Sequence, residues 1–182
     1  MATDIQLLQN ILDCKNFRCD FERWTKQIAL DIKNTQASKG AIAIFGNGGS
    51  AADAQHWAAE LVCTYMDRSR QPYAAMALTT DTSIITAWSN DFKFEEIFER
   101  QVEAFRNIYG LAIGLSTSGK SKNVIRGLRK AQQHGIKTIL ISGEGAENNS
   151  EYGLHVRLPS QSTPIVQTLT QMLYHEVCNQ LE

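Results

Sequence analysis

Short apolar runs set between longer stretches of helical spacing constrain this chain more than any other feature. Residues 41–45 (AIAIF), 74–78 (AAMAL) and 111–115 (LAIGL) carry no polar side chain, as strands buried on both faces do. Residues 136–141 and 154–158 read as two further strands. Around them apolar residues recur at helical spacing: Ile5, Leu8, Ile11 and Leu12, then Phe21, Trp24, Ile28, Leu30 and Ile32, and later Val124, Ile125, Leu128 and Ala131. Helices are expected over 3–38 (two, ended by a Ser38-Lys39-Gly40 break), 50–64, 121–134 and 164–181, the last with Pro164 in its first turn. The 50–64 helix is rich in alanine, and Ser50 stands where its N-cap belongs. Strands alternating with helices imply βαβ crossovers and a parallel sheet covered on both faces. The expected fold class is α/β, a three-layer α/β/α sandwich with a parallel five-stranded sheet plus N-terminal helices. It would form one domain over 1–182, with a helical N-terminal extension to residue 38 and an α/β core over 41–182.

The formal net charge is −1, so no global positive field attracts nucleic acid or an anionic membrane. Neither is expected as a partner. The first ten residues, MATDIQLLQN, lack a basic stretch followed by an apolar one, so no signal peptide is expected. No run approaches 18 apolar residues, the length a spanning helix needs. Cys14, Cys19, Cys63 and Cys178 form no Cys-x-x-Cys pair and read as reduced thiols of a cytoplasmic protein.

In open α/β sheets, ligands bind beyond the C-terminal ends of the strands. Two strands here end in loops suited to an anion: Gly46-Asn47-Gly48-Gly49-Ser50 and Ser116-Thr117-Ser118-Gly119-Lys120-Ser121. The second joins four hydroxyls, a flexible glycine and the start of a helix, whose free N–H groups and dipole favour an oxyanion. The bland alternative is that Ser121 caps the helix and the other hydroxyls decorate a turn. The first loop has neither the dinucleotide Gly-x-Gly-x-x-Gly spacing nor the Walker pattern. The direction of Lys120 is not set by sequence.

His56 and Glu60 are four apart and share a helix face, while Gln167 and His175 are eight apart on the last helix, about 80° apart around its axis. Two imidazoles, a carboxylate and an amide oxygen suit a divalent ion such as Zn²⁺. Such a His-Glu pair is also common on solvated helix faces, and spacing does not choose between the two. His134 and His155 read as ordinary surface and strand histidines.

The sequence Gly46-Asn47-Gly48-Gly49-Ser50-Ala51-Ala52-Asp53-Ala54-Gln55-His56, with Asn90-Asp91-Phe92, Ser116-Thr117-Ser118-Gly119 and Gln167…His175, closely resembles the sugar isomerase (SIS) fold. Within it, the chain is similar to the phosphoheptose isomerases over nearly its whole length. The resemblance implies interconversion of sedoheptulose 7-phosphate and glycero-manno-heptose 7-phosphate, which supplies heptose for lipopolysaccharide and other surface glycans. It implies a homotetramer with sites between subunits and, in many members, one zinc ion per subunit. By resemblance, Asn47, Gly48, Gly49, Ser50, Asn90, Asp91 and Gln167 contact the sugar. Ser116, Thr117, Ser118 and Ser121 match phosphate-binding positions, and His56, Glu60, Gln167 and His175 match metal positions. Glu60, which also meets the substrate, and His175 match the acid–base pair, with either able to handle the carbon-bound proton.

The chain departs from the pattern at three places. Thr64 stands where many relatives carry arginine, Lys120 replaces the usual asparagine, and Pro164 occupies a position that is Asp or Ala elsewhere. Arg68 or Arg70 could replace the missing arginine. Two competing functions fit the resemblance. One is a non-catalytic SIS regulator that binds the bacterial replication initiator, a branch lacking the counterparts of Glu60 and His175. The other is an isomerase of a different sugar phosphate.

Overall fold

A threonine side chain opens the first helix. In the computed structural model, which describes residues 3–147 and 152–182, the Thr3 hydroxyl accepts the Gln6 N–H at 3.3 Å and α1 runs over Asp4–Asp13. This N-cap satisfies one of the amides that a helix start leaves free. α2 follows at Lys15–Ala37, burying Trp24, Ile28 and Ile32 at four-residue intervals along one face. It stops where the Ser38 hydroxyl donates to the Asn34 and Thr35 carbonyls and Lys39 turns to φ 59. The expected Ser-Lys-Gly break is therefore a left-handed helix terminus.

The five strands are β1 (Ala41–Gly46), β2 (Ala75–Ala77), β3 (Tyr109–Leu115), β4 (Lys137–Gly143) and β5 (Leu154–Leu158). All pair in parallel, in the order β2-β1-β3-β4-β5. Side chains alternate between the faces of a strand, and both faces are buried. Ile42, Ile44, Leu111, Ile113, Ile139 and Ile141 join one core with α2 and with the helices α3 (Gly49–Val62) and α7 (Thr163–Gln180). Ala43, Phe45, Ala112 and Leu140 join the other, under α6 (Lys122–Gln133). The sheet thus lies between two helical layers, as the apolar runs required. No helix among the described residues is long and apolar enough to cross a membrane.

The β2–β3 crossover holds elements that the sequence pattern did not reveal: α4 (Thr82–Asp91), a 3-10 turn (Phe94–Glu96) and α5 (Ile97–Ala104). α4 is rich in Thr, Ser and Ile and weak in helix propensity. It is started by the Asp81 carboxylate, which accepts the Ile84 N–H at 3.0 Å. α5 is tied to α6 by Glu99 and Glu103, which pair with Arg126, Lys130 and His134. These pairs are partly exposed, so they contribute little singly, and the Phe98 and Val102 side chains beneath them carry the packing.

Ile44, wholly buried in mid-strand between Ala77 and Ile113, provides a test of this arrangement. Ile44→Ala is expected to lower unfolding free energy by about 2–5 kcal/mol, from lost transfer energy plus a cavity, measured by denaturant titration.

Candidate functional site

β1 ends at a turn that only glycines can make. A Cβ on Gly46 would lie 2.8 Å from Ser50, and Gly48 adopts φ 56, a left-handed conformation that costs glycine little. α3 therefore starts at Gly49, with Gly48 as its cap. Here the structure corrects the sequence reading. Ser50 is not the cap but a buried residue of the first turn, pressed against Gly46. Between the glycines, the Asn47 amide makes a reciprocal pair with Asn123, each nitrogen donating to the other's oxygen at 2.8 Å.

β3 ends in the serine loop. Ser116 is buried, and its hydroxyl donates to the Ser121 Oγ at 2.9 Å and accepts the Ser121 N–H at 3.3 Å. Gly119, at φ 67, donates its N–H to the Ser116 carbonyl, and the Lys120 N–H goes to the Ser118 Oγ at 3.2 Å. Ser121 holds the cap position of α6, yet its side chain makes no capping bond. Its hydroxyl is spent on Ser116 instead, so simple capping does not account for it. Lys120 is exposed. Thr117 reaches to 3.4 Å from the hydroxyl of Thr163, the first residue of α7. The N-termini of α3 and α6 thus follow neighbouring strands, the first turns of α7 reach both loops, and each brings free amides and a positive dipole end.

The second group lies further along α3 and α7. His56 Nε2 and Glu60 Oε1 are 3.0 Å apart, and the rings of His56 and His175 meet edge to face at 5.2 Å. Ligand atoms of His56, Glu60 and His175 all fall within 4.8 Å of one another. Their surroundings hold them in place. The Tyr174 hydroxyl lies 2.8 Å from His56 Nδ1, leaving Nε2 turned to Glu60, and Tyr65 stacks on His175 at 5.5 Å. Burial, then the neighbouring His56, lowers the His175 pKa, with Glu60 opposing the shift. Burial and Glu60 push the Cys178 thiol up to about 12.

Gln167, on the same helix as His175, lies against the loop group. Two turns before His175, its amide is packed so closely on the Cα of Gly49 that a Cβ there would run into it. Asn90 and Asp91 end α4, exposed, with Asn90 donating to Asp91 at 2.8 Å. Among the described residues, neither is hydrogen-bonded to a member of either group. Arg70 is already engaged: its guanidinium donates to the Glu60 carbonyl at 2.7 Å and the Leu61 carbonyl at 3.2 Å and lies over the Tyr73 ring. It closes the C-terminus of α3, where a cation is favoured, directly behind Glu60. Thr64 is half-buried just beyond that end.

Against known proteins, the SIS domain model matches residues 23–143. Phosphoheptose isomerases of Syntrophotalea carbinolica and Aquifex aeolicus are 48% and 49% identical to this chain, over 79% and 78% of it and 73% and 74% of their own lengths. The chain belongs to the phosphoheptose isomerase family. A solved phosphoheptose isomerase structure from Neisseria gonorrhoeae superposes with a TM-score of 0.74 at 35% identity, covering 87% of this chain and 85% of that one. One from Francisella tularensis gives 0.77 at 28%, covering 86% and 84%.

For this phosphoheptose isomerase family member, the residues read from sequence resolve into a loop group, a His-Glu-His group and the Asn90–Asp91 pair. Sequence reasoning missed the residues that hold them: Asn123, Tyr174, Tyr65 and the capping role of Arg70. Asn123 carried a faint signal, as an amide in the first turn of the helix that follows an anion loop. Tyr174 carried none beyond lying next to His175.

Proposed function

We propose that this chain is an aldose–ketose isomerase that interconverts sedoheptulose 7-phosphate and D-glycero-D-manno-heptose 7-phosphate. The observation that carries the reading is the combination of a three-helix anion cradle with His56, Glu60 and His175 on two of the same helices. The cradle alone would serve any phosphate binder. The His-Glu-His group adds proton-transfer chemistry, which a non-catalytic regulator does not need.

The substrate's phosphate is taken by Ser116, Thr117, Ser118 and Ser121, with the α6 amides and dipole opposing its charge. Asn47, Gly48, Gly49, Ser50 and Gln167 line the sugar, and Asn90 and Asp91 complete its contacts. Isomerisation moves a proton between C1 and C2 through an enediol(ate). Glu60 takes and returns the carbon-bound proton, and His175 handles protons on the oxygens.

Two imidazoles and a carboxylate with converging atoms form a donor set that fits Zn²⁺, with the Gln167 amide oxygen as the fourth ligand. The His56 Nδ1 contact with Tyr174 is the outer support that a metal-binding imidazole needs. A zinc ion held there, one per subunit, would supply electrostatic stabilisation of negative charge on the sugar oxygens.

The enzyme works as a homo-oligomer, a tetramer with sites between subunits, in the cytoplasm, feeding surface-glycan heptose. More than half-exposed Met66, Met76, Phe92, Phe94 and Ile108 support burial between copies.

A panel of pentose, hexose and heptose ketose phosphates, assayed with and without chelator, tests the reading. Turnover of the heptose phosphate, its loss on chelation and its recovery with about one Zn²⁺ bound per chain are expected. Preference for a shorter sugar would overturn the substrate assignment, and full activity in metal-free protein would remove zinc.

A further inference from the structure

We infer that Asn123 is a positioning residue that fixes the orientation of the Asn47 amide toward the sugar, an inference resting on Asn47 as a sugar contact. The two ends of an asparagine amide are similar in size and opposite in hydrogen-bonding sense. An unsupported Asn47 could therefore present either end, and its surroundings offer little else to choose. Among the described residues, Asn123 is the one side chain hydrogen-bonded to its amide.

Asn123 makes the choice. It is buried in the first turn of α6, and its Oδ1 accepts the Val124 N–H at 2.9 Å. Only oxygen can accept there, so Asn123 must turn its nitrogen to the Asn47 oxygen and its oxygen to the Asn47 nitrogen, both at 2.8 Å. A backbone amide of the phosphate-loop helix thus dictates, through two side chains, which face of Asn47 stays free. One N–H and one oxygen lone pair of half-buried Asn47 remain for sugar hydroxyls, in a fixed donor–acceptor order. The same pair bridges the loops after β1 and β3, neighbours in the sheet.

The test is a double-mutant cycle with Asn123→Ala and Asn47→Ala, assayed on sedoheptulose 7-phosphate and with inorganic phosphate as competitive inhibitor. Asn123→Ala is expected to reduce kcat/KM by about 10-fold or more. Inhibition by phosphate, which does not reach Asn47, should stay within about twofold. In the Asn47→Ala background the second substitution should add almost nothing, as for residues acting as one unit. Asn123→Ser, which can still accept the Val124 N–H but is too short to hold Asn47, should behave as Asn123→Ala does and guards against a folding defect. Multiplying effects, or an equal loss of phosphate affinity, would overturn the inference and make Asn123 a general support of the loop. Normal kinetics in Asn47→Ala would instead overturn the assignment of Asn47 to the sugar.

Discussion

Glu60→Gln is expected to lower turnover of the heptose phosphate by about 10³-fold while the protein stays folded. Glutamine has nearly the same shape, and the side chain is only 21% exposed, so packing is kept and basicity is lost. The backbone at this position is secured independently, because Arg70 holds the Glu60 carbonyl rather than its carboxylate. Solvent-deuterium exchange at C1 or C2, followed alongside kcat, separates the possible roles. Loss of both, with the bound Zn²⁺ content unchanged, places Glu60 at the carbon. Loss of turnover with exchange retained would move that task to His175, and near-normal turnover would remove Glu60 from the chemistry.

The second large effect should come from a residue with no functional group. Gly49→Ala is expected to reduce kcat/KM by about 10²-fold with stability changed by less than about 1 kcal/mol. Gly49 is in ordinary helical conformation, with no positive φ to forbid alanine. The alanine methyl would instead meet the far end of a flexible side chain, the Gln167 amide. That amide can swing away cheaply, but it then leaves its place against the glycine loop. Gln167→Ala should match the loss, and the double variant should be no worse than either. If Gly49→Ala is fully active, the close approach of Gln167 has no part in function.

Sheet and loops were legible because burial on both faces leaves strands such as 41–45 and 111–115 free of polar residues, and the glycines of 46–49 mark the turn after them. The crossover helix α4 was not, since TSIITAWSND has neither strong propensity nor a clean apolar stripe; tertiary packing and the Asp81 cap make it helical. In the site, the four-residue spacing of His56 and Glu60 guaranteed a shared face, and only the fold could bring His175 to it from over a hundred residues away. Ser50 misled because serine before a helix usually caps it. A glycine two residues earlier, able to take φ 56, moved the start. The Asn47–Asn123 pair depends on two strands lying side by side, which no local pattern encodes.

The serine loop of the free protein is already bonded to itself: Ser116 to Ser121, the Gly119 N–H to the Ser116 carbonyl, the Lys120 N–H to the Ser118 hydroxyl. In these bonds the Ser121 and Ser118 oxygens accept, so neither bond uses its own O–H. A phosphate bound as proposed would meet those hydroxyls and the first amides of α6 already held in place. Donors facing an anion bind about twice as strongly as those facing a hydroxyl. With that role, the loop would favour an ionised ligand over a neutral one. Sugars and neutral esters would gain little there, whereas the phosphate dianion that prevails above about pH 6 would gain most.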